Sequence, residues 1–394
     1  MLKYLRLMKY CFALFHYLWH FQRMLKSPNL LKEGQLEKQL SDALRAYLGR
    51  VPFLQIESLQ QNVSTRIGGR VIESDVLATV TTGDRTWTLV CECKSLGQPR
   101  EVRSATLQLD RYLSTLDDRS RYGIVLAPFI SEESARICTE AGVGYLDLSG
   151  NAHLSFDRVF IESRSPQNTL KRRRELRSLF FPKSLRVLRV MLTGALRPWK
   201  VTELAEAAGV SLGQVSNIRR QLLAQEWASI GDGGIELSRP EDLLHQWQAQ
   251  GRHAIDRVQR RQTELFTLDR PAEIEVKLAK VATSREIRYA LTEMAAAARM
   301  APMVRYHRTR AYVDSIDAIT AALGLKPVAT GANVVLVEPA DDGVFYGLRD
   351  FGGVLSVCPA QVYVDLSTGG GRYEEAAEAL LHQVIEKEWR PAIS

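Results

Sequence analysis

Several features that would place a chain in a special class are scarce or missing from these 394 residues. Only five cysteines occur, Cys11, Cys91, Cys93, Cys138 and Cys358, an odd number and widely scattered. That spacing excludes a disulfide framework and a paired zinc site, so a reducing, cytoplasmic setting is expected. Cys91 and Cys93 are expected as core residues. Long apolar runs are missing too. The best candidate, in residues 1-28, is punctuated by Lys3, Arg6, Lys9 and Arg23 around Cys11 to Trp19, and no small-residue cleavage site follows it. It is too short to span a bilayer and does not read as a secretory signal. An extra helix packed on the body, or a start placed too early, is the expectation. An amphipathic helix docking on a membrane surface or another subunit is the alternative. A phosphate-binding glycine loop is also lacking: Gly369-Gly370-Gly371 has neither the Lys nor the Ser/Thr of a P-loop. The remainder is ordinary for a globular chain, 45% apolar and 25% charged, with length for two or three cores. Its net charge of +7 favours a polyanionic partner.

Chemistry-bearing residues concentrate between positions 73 and 94. Glu73-Ser74-Asp75-Val76-Leu77-Ala78-Thr79-Val80 and Thr88-Leu89-Val90-Cys91-Glu92-Cys93-Lys94 flank a polar turn containing Gly83-Asp84, which reads as a β-hairpin. Strand alternation puts Glu92 and Lys94 on one face and Leu89, Cys91 and Cys93 on the other, apolar one. Asp75 begins the partner strand, where the hairpin can bring it next to Glu92. Two carboxylates can hold a hard divalent cation, and a nearby amine can stabilise charge on a phosphate. A solvated strand edge with a chance pair would look the same.

Asp75 followed by Glu92-x-Lys94 resembles the active-site signature of the PD-(D/E)XK nuclease superfamily. The next helix, expected from Glu101 to Leu116, carries Gln108 and Tyr112, which resemble the Q-x-x-x-Y element of the RecB-like branch. The resemblance implies a restriction-endonuclease-like α/β core and, if the site is active, Mg²⁺ held by Asp75 and Glu92. Lys94 would assist the attacking water or the transition-state charge, and Gln108 with Tyr112 would orient the site. A salt bridge between Lys94 and these carboxylates would instead neutralise it. The expected order is helix, three strands, helix, strand, helix, strand. Leu36, Leu40, Leu44 and Leu48 mark the first helix, and Glu37 on it is a further acidic candidate whose plainer reading is a solvated charge.

The chain's basic excess lies elsewhere. Residues 169 to 227 hold twelve Lys or Arg and four Asp or Glu, a net of +8, so the rest of the chain sums to −1. Lys171, Arg172, Arg173 and Arg174 begin this region, and a helix-turn-helix pattern follows. Helices are expected from Ser184 to Thr193 and from Glu203 to Ala208, the latter ending at Gly209. Ser211 should N-cap a third helix, with Gln214 completing an S-x-x-Q capping box. Val215, Ile218, Leu222 and Leu223 face inward, while Gln214, Ser216, Asn217, Arg219 and Arg220 remain polar. Ala228 to Ile230, the turn at 231–234 and Ile235 to Leu237 form a short hairpin. The whole resembles a winged helix-turn-helix, which implies double-stranded DNA contacted through Ser211, Gln214, Ser216, Asn217, Arg219 and Arg220, with phosphates neutralised by flanking basic residues.

A strand, tight turn, strand reading fits Gly144 to Leu154, with Gly150-Asn151 at left-handed positions and Asn151 or His153 as candidate phosphate contacts. Past Pro240, a helix is expected from Leu243 to Glu264, a strand at Ala272 to Val276 and an Ala-rich helix from Arg288 to Met300. Strands at Ala311 to Val313 and Asn333 to Val337 and a last helix from Tyr373 to Glu388 complete the region. The run from Gly144 to Asn151, with Val344 to Gly347 and Cys358 to Leu366, resembles AbiEi-family antitoxins of type IV toxin-antitoxin systems, which are phage-defence regulators. That resemblance implies a cognate toxin.

The expectation is an α/β multidomain protein: segment 1-28, a nuclease-like α/β domain at 29-168, a winged helix-turn-helix at 169-245 and an α+β domain at 246-394. Its function reads first as a DNA-binding regulator or antitoxin, with a homodimer plausible for two half-sites and no membrane association. A Mg²⁺-dependent DNA endonuclease is the alternative, and a DNA-binding protein with the nuclease-like domain as scaffold is a third reading.

Overall fold

Leucines four residues apart make one stripe of α1 (Leu30–Leu48), where Leu40, Leu44 and Leu48 are fully buried. In this computed structural model the described residues are 30–67, 70–116, 120–164, 178–254, 261–301, 306–367 and 369–390, which leaves residues 1–28 and the basic run at 171–174 outside. The chain divides into two compact units, Met1–Thr169 and Leu170–Ser394.

In the first unit, seven strands form one sheet in sequence order: β1 (Leu54–Ile67), β2 (Arg70–Thr82), β3 (Arg85–Cys93), β4 (Arg121–Ala127), β5 (Gly144–Asp147), β6 (Ala152–Phe156) and β7 (Val159–Ser163). Its middle is parallel, β3 with β4 and β4 with β5, and the crossovers pass through α2 (Pro99–Thr115) and α3 (Glu132–Glu140). Parallel strands need both faces covered. Leu89 and Cys91 accordingly pack with α1, while Val90 and Val125 pack with Val102, Leu109 and Ile137 of α2 and α3. The face bearing Glu92 is therefore apolar over most of its length, not polar as alternation suggested, and turns polar only at the end of β3.

The second unit begins with α4 (Pro182–Leu192), α5 (Val201–Ala208) and α6 (Leu212–Ala224), then a two-stranded hairpin, β8 (Ala228–Gly231) and β9 (Gly234–Leu237). Gly209, at φ 60°, ends α5 in the left-handed conformation that glycine adopts at least cost. Trp199 pairs with Ile235 and ties the loop before α5 to the hairpin. After α7 (Pro240–Ala254) comes a second seven-stranded sheet, built from β10 (Gln262–Phe266), β11 (Tyr289–Thr292), β12 (Thr309–Val313), β13 (Lys326–Pro327), β14 (Val334–Val337), β15 (Arg349–Asp350) and β16 (Leu355–Ser356). Their spatial order is β13-β10-β14-β12-β11-β16-β15. Helices α8 (Pro271–Ser284), α9 (Glu293–Met300), α10 (Ile316–Leu323), α11 (Pro359–Leu366) and α12 (Arg372–Leu380) accompany it.

One continuous apolar core runs from Val187 and Ile218 through Trp247 to Leu291, Leu336 and Leu380. A buried polar chain crosses the same region. Arg189 of α4 donates from Nε to Gln361 Oε1 (2.8 Å), Gln361 Nε2 donates to Asp365 Oδ1 (2.8 Å), and Asp365 also accepts from Thr292 and Tyr312.

Three sequence expectations fail here. Ala272 to Val276 alternates like a strand but lies in α8, where Ile274, Leu278 and Ala282 form a buried stripe and Glu273 accepts from the Arg270 backbone N–H as the helix starts. The helix expected from Leu243 to Glu264 is described from Pro240 to Ala254, and its expected far end is not helix, since Gln262 to Phe266 is strand β10 held by β14. Tyr289 to Thr292, expected as the start of an Ala-rich helix, is a fully buried strand between β12 and β16. Local pattern could not report the sheet partners that decided these segments.

Candidate functional site

The register of β2 and β3 assembles the first-unit cluster. Val76 pairs with Cys91, which sets Asp75 beside Glu92 at the edge of the paired region. Asp75 is fixed by the Cys93 backbone N–H, which donates to its Oδ2 at 2.7 Å. Its carboxyl also shares a hydrogen bond with Glu92. Lys94 Nζ donates to Glu92 Oε2 at 3.1 Å and to Gln108 Oε1 of α2 at 2.8 Å. One helical turn on, Tyr112 shares a hydrogen bond with the Glu73 backbone. The structure thus brings together all five residues singled out by the motif.

Its electrostatics are set by burial. Glu92 is only 4% exposed, and that desolvation, with the Asp75 carboxyl beside it, raises its pKa above the ordinary carboxylate value against the opposing pull of Lys94. Tyr112 is pushed up to about 12, by burial first and then by the Glu92 and Asp75 charges. Two close carboxylates, one of them buried, are a suitable donor pair for a hard cation, which would relieve their repulsion. Mg²⁺ needs only one or two carboxylates, with water and phosphate oxygens completing its shell. Against this, Lys94 already neutralises one charge, and among the described residues no group of three or more His, Cys, Asp or Glu is placed to hold a metal. The donor set therefore fits Mg²⁺ of the two-carboxylate kind and no richer site.

Glu37 lies near enough for its charge to act on Cys93, and Asn62 Nδ2 donates to Glu37 Oε2 at 3.4 Å. Asn62 was not visible as a site neighbour in the sequence. Gln61 pairs with Val76 and Val63 with Ser74, so only the strand register places it across from Asp75.

The Gly144 to Leu154 turn serves structure. Buried Asp147 accepts from the backbone N–H groups of Ile130, Ser149 and Asn151 and from Asn151 Nδ2. Only Gly150 takes a positive φ (96°); Asn151, expected there too, does not. His153 stacks on Tyr145 and meets Phe160 edge-on, at ring separations of 6.0 and 5.8 Å.

On α6, Ser211 caps the helix as expected, accepting from Gln214 N at 3.2 Å. Gln214 does not close the capping box: its Nε2 donates to Ser184 Oγ at 3.0 Å, which turns that side chain toward α4. Val215, Ile218 and Leu222 are buried, whereas Ser211, Ser216 and Arg220 are exposed and Asn217 and Arg219 are half-buried. Arg220 Nη2 donates to Asn217 Oδ1 at 2.7 Å. No helix among the described residues is long and apolar enough to cross a membrane.

Comparison with known proteins bears on the second unit. Residues 236–386 match a family model described as "Transcriptional regulator, AbiEi antitoxin, Type IV TA system". The match runs from the end of β9 through the whole second sheet and its helices, less than half of the chain. The AbiEi-matching region thus holds Val344 to Gly347 and Cys358 to Leu366, while the Gly144 run lies outside it. No curated protein matches the chain. A solved structure titled "Structure of EndoMS in apo form" is similar at 16% identity over 27% of this chain and 45% of that one, with a TM-score of 0.20. This chain therefore spans less than half of that protein.

Proposed function

We propose that this protein is a duplex-DNA-binding transcriptional regulator of the antitoxin type. The observation that carries the reading is the three-helix and hairpin arrangement at 182–237, with α6 exposing Ser216 and Arg220, joined directly to the AbiEi-matching region. As a winged helix, α6 would lie in the major groove, with Asn217 and Arg220 at base edges or phosphates and the hairpin alongside. The match also supports a toxin as a protein partner, and a homodimer would suit two half-sites. The test is competition between the protein's own upstream duplex and a scrambled duplex. Wild type should prefer its own DNA, and Ser216→Ala with Asn217→Ala should erase much of that preference. Equal binding to both duplexes by wild type would contradict sequence-specific regulation.

The convergence of Asp75, Glu92, Lys94 and Gln108 favours a second reading, a metal-dependent DNA endonuclease on a restriction-endonuclease-like unit. Asp75 and Glu92 would hold Mg²⁺, which supplies charge stabilisation at a phosphate. Lys94, held by Glu92 and Gln108, would present its ammonium to developing negative charge, while Tyr112 braces β2 beside Asp75. Incubation of supercoiled and linear DNA with Mg²⁺ or Mn²⁺ tests it. Cleavage should fall about 100-fold or more in Asp75→Ala and in Lys94→Ala while binding persists. Wild type that leaves both DNAs intact would remove this reading.

A further inference from the structure

A cavity of about 740 Å³ opens within the second unit, and its walls come from both the three-helix region and the second sheet's region. One wall is α4 with the end of α5, where Ala207, Ala208 and Gly209 lead into the turn before α6. The rest is the end of α8, the start of β11 and the segment 342–348. Its volume is that of small-molecule sites, and its lining is mainly apolar, with Tyr289, Phe345 and Tyr346 as its aromatic members.

Charge decides what such a cavity can hold. Arg186 and Arg288 reach it, but both are already neutralised. Arg186 Nε lies 2.8 Å from Asp341 Oδ1, while Arg288 pairs with Asp314 at 2.8 Å and with Asp342 at 3.2 Å and sits over the Phe345 ring at 4.9 Å. Two carboxylates of the lining have no such compensation. Glu206 of α5 and Glu286, just past α8, are exposed and make no ion pair or side-chain hydrogen bond among the described residues. An anionic ligand would meet uncompensated charge of its own sign, and a cationic one would meet charge of the opposite sign. Tyr346 is half-buried in the lining, and its hydroxyl has no partner among the described residues. Aromatic rings attract cations as well as apolar surface. Glu286 also stands where glycine would fit better. It takes a φ of 55°, and its own N–H donates to Thr283 while that of Ile287 donates to Ala282, the two bonds of a Schellman turn whose left-handed position glycine usually fills. The side chain held there against that preference brings a carboxylate to the cavity.

We propose that this cavity binds a small organic cation with an aromatic body, to which Glu206 and Glu286 supply the opposite charge and Tyr346 an aromatic wall, and that its occupancy is linked to DNA binding. The link rests on the regulator reading. Ala208 and Gly209 line the cavity and α6 starts at Leu212, so a ligand against that turn bears on how the recognition helix is set. By reciprocity, bound DNA would change cation affinity by the same factor.

The test is calorimetric titration of the full chain with tetraphenylphosphonium and with tetraphenylborate, two ions of one shape and opposite charge. The phosphonium should bind about tenfold more tightly than the borate, and Glu206→Gln/Glu286→Gly should weaken it about tenfold. Glycine suits the backbone at position 286, so that loss would not come from a strained fold. Ala207→Trp, at an exposed residue of the wall, should abolish binding by filling the cavity with both carboxylates still in place. Equal binding of the two ions, or phosphonium binding that neither variant changes, would overturn the proposal. The link is read on the protein's own upstream duplex, where saturating phosphonium should shift wild-type affinity about fivefold or more and leave Ala207→Trp unmoved. Phosphonium binding that leaves DNA affinity unchanged would overturn the link. Wild type that binds phosphonium and no DNA would remove the regulator reading and leave the cation site standing, whereas DNA binding without phosphonium binding would remove the site and leave the regulator.

Discussion

Glu92 in the first unit and Glu275 in the second are both buried, at 4% and 0% exposure, yet their surroundings are opposite. Glu275 accepts from Arg299 Nη2 at 2.6 Å, from the Tyr306 hydroxyl at 2.9 Å and from Thr309 Oγ1 at 2.9 Å. Glu92 has one cationic partner, Lys94, and faces a second carboxylate, Asp75. A buried carboxylate surrounded by donors is a structural strut. One set against another carboxylate at the end of a strand carries a repulsion that its surroundings only partly relieve, and the endonuclease proposal rests on that pair.

The largest effect should separate these two residues. Glu275→Ala leaves Arg299, Tyr306 and Thr309 facing an empty acceptor position and should destabilise the second unit by about 3–5 kcal/mol, read from denaturant melts. Glu92→Gln removes the repulsion with Asp75 and should stabilise the first unit by about 1 kcal/mol at neutral pH, or roughly 2–4 °C in Tm. Equal losses from both substitutions would break the comparison. The sign of the pH dependence sharpens it. Because folding raises the pKa of Glu92, its favourable contribution is complete below the unfolded carboxylate value and is lost as pH rises through the folded one. The advantage of Glu92→Gln should therefore grow from acid toward neutral pH, and an advantage that shrank would contradict the assignment. The smallest effect belongs to Asn151→Ala. It should cost about 1 kcal/mol through the lost bond to Asp147 and leave DNA affinity unchanged, as befits a turn residue.

The sequence was most informative where one residue type has one local job. Ser211 as a cap, Gly209 as a left-handed terminus and the four-residue leucine spacing of α1 all follow from the backbone within a turn or two. The strand pair carrying Asp75, Glu92 and Lys94 was legible because alternation and a polar turn sufficed. Segments whose state depends on distant partners were not. Tyr289 to Thr292 is helix-like by composition and becomes a strand because β12 and β16 flank it. Gln214 looked like half of a capping box, but Ser184, thirty residues earlier, supplies a competing acceptor. Asn62 acquires its place across from Asp75 only through a register no local signal encodes.

The α6 face differs again from both glutamates, since Ser216 and Arg220 point outward, not into a shared cluster. The measurement that most directly tests the regulator account is binding of the purified protein to its own upstream duplex across a range of salt concentrations, compared with Arg219→Ala/Arg220→Ala. The account predicts binding that weakens steeply with salt, and a variant about tenfold weaker whose salt slope is shallower by about 1 for each arginine that meets a phosphate. Identical affinities and slopes for the two proteins would contradict it.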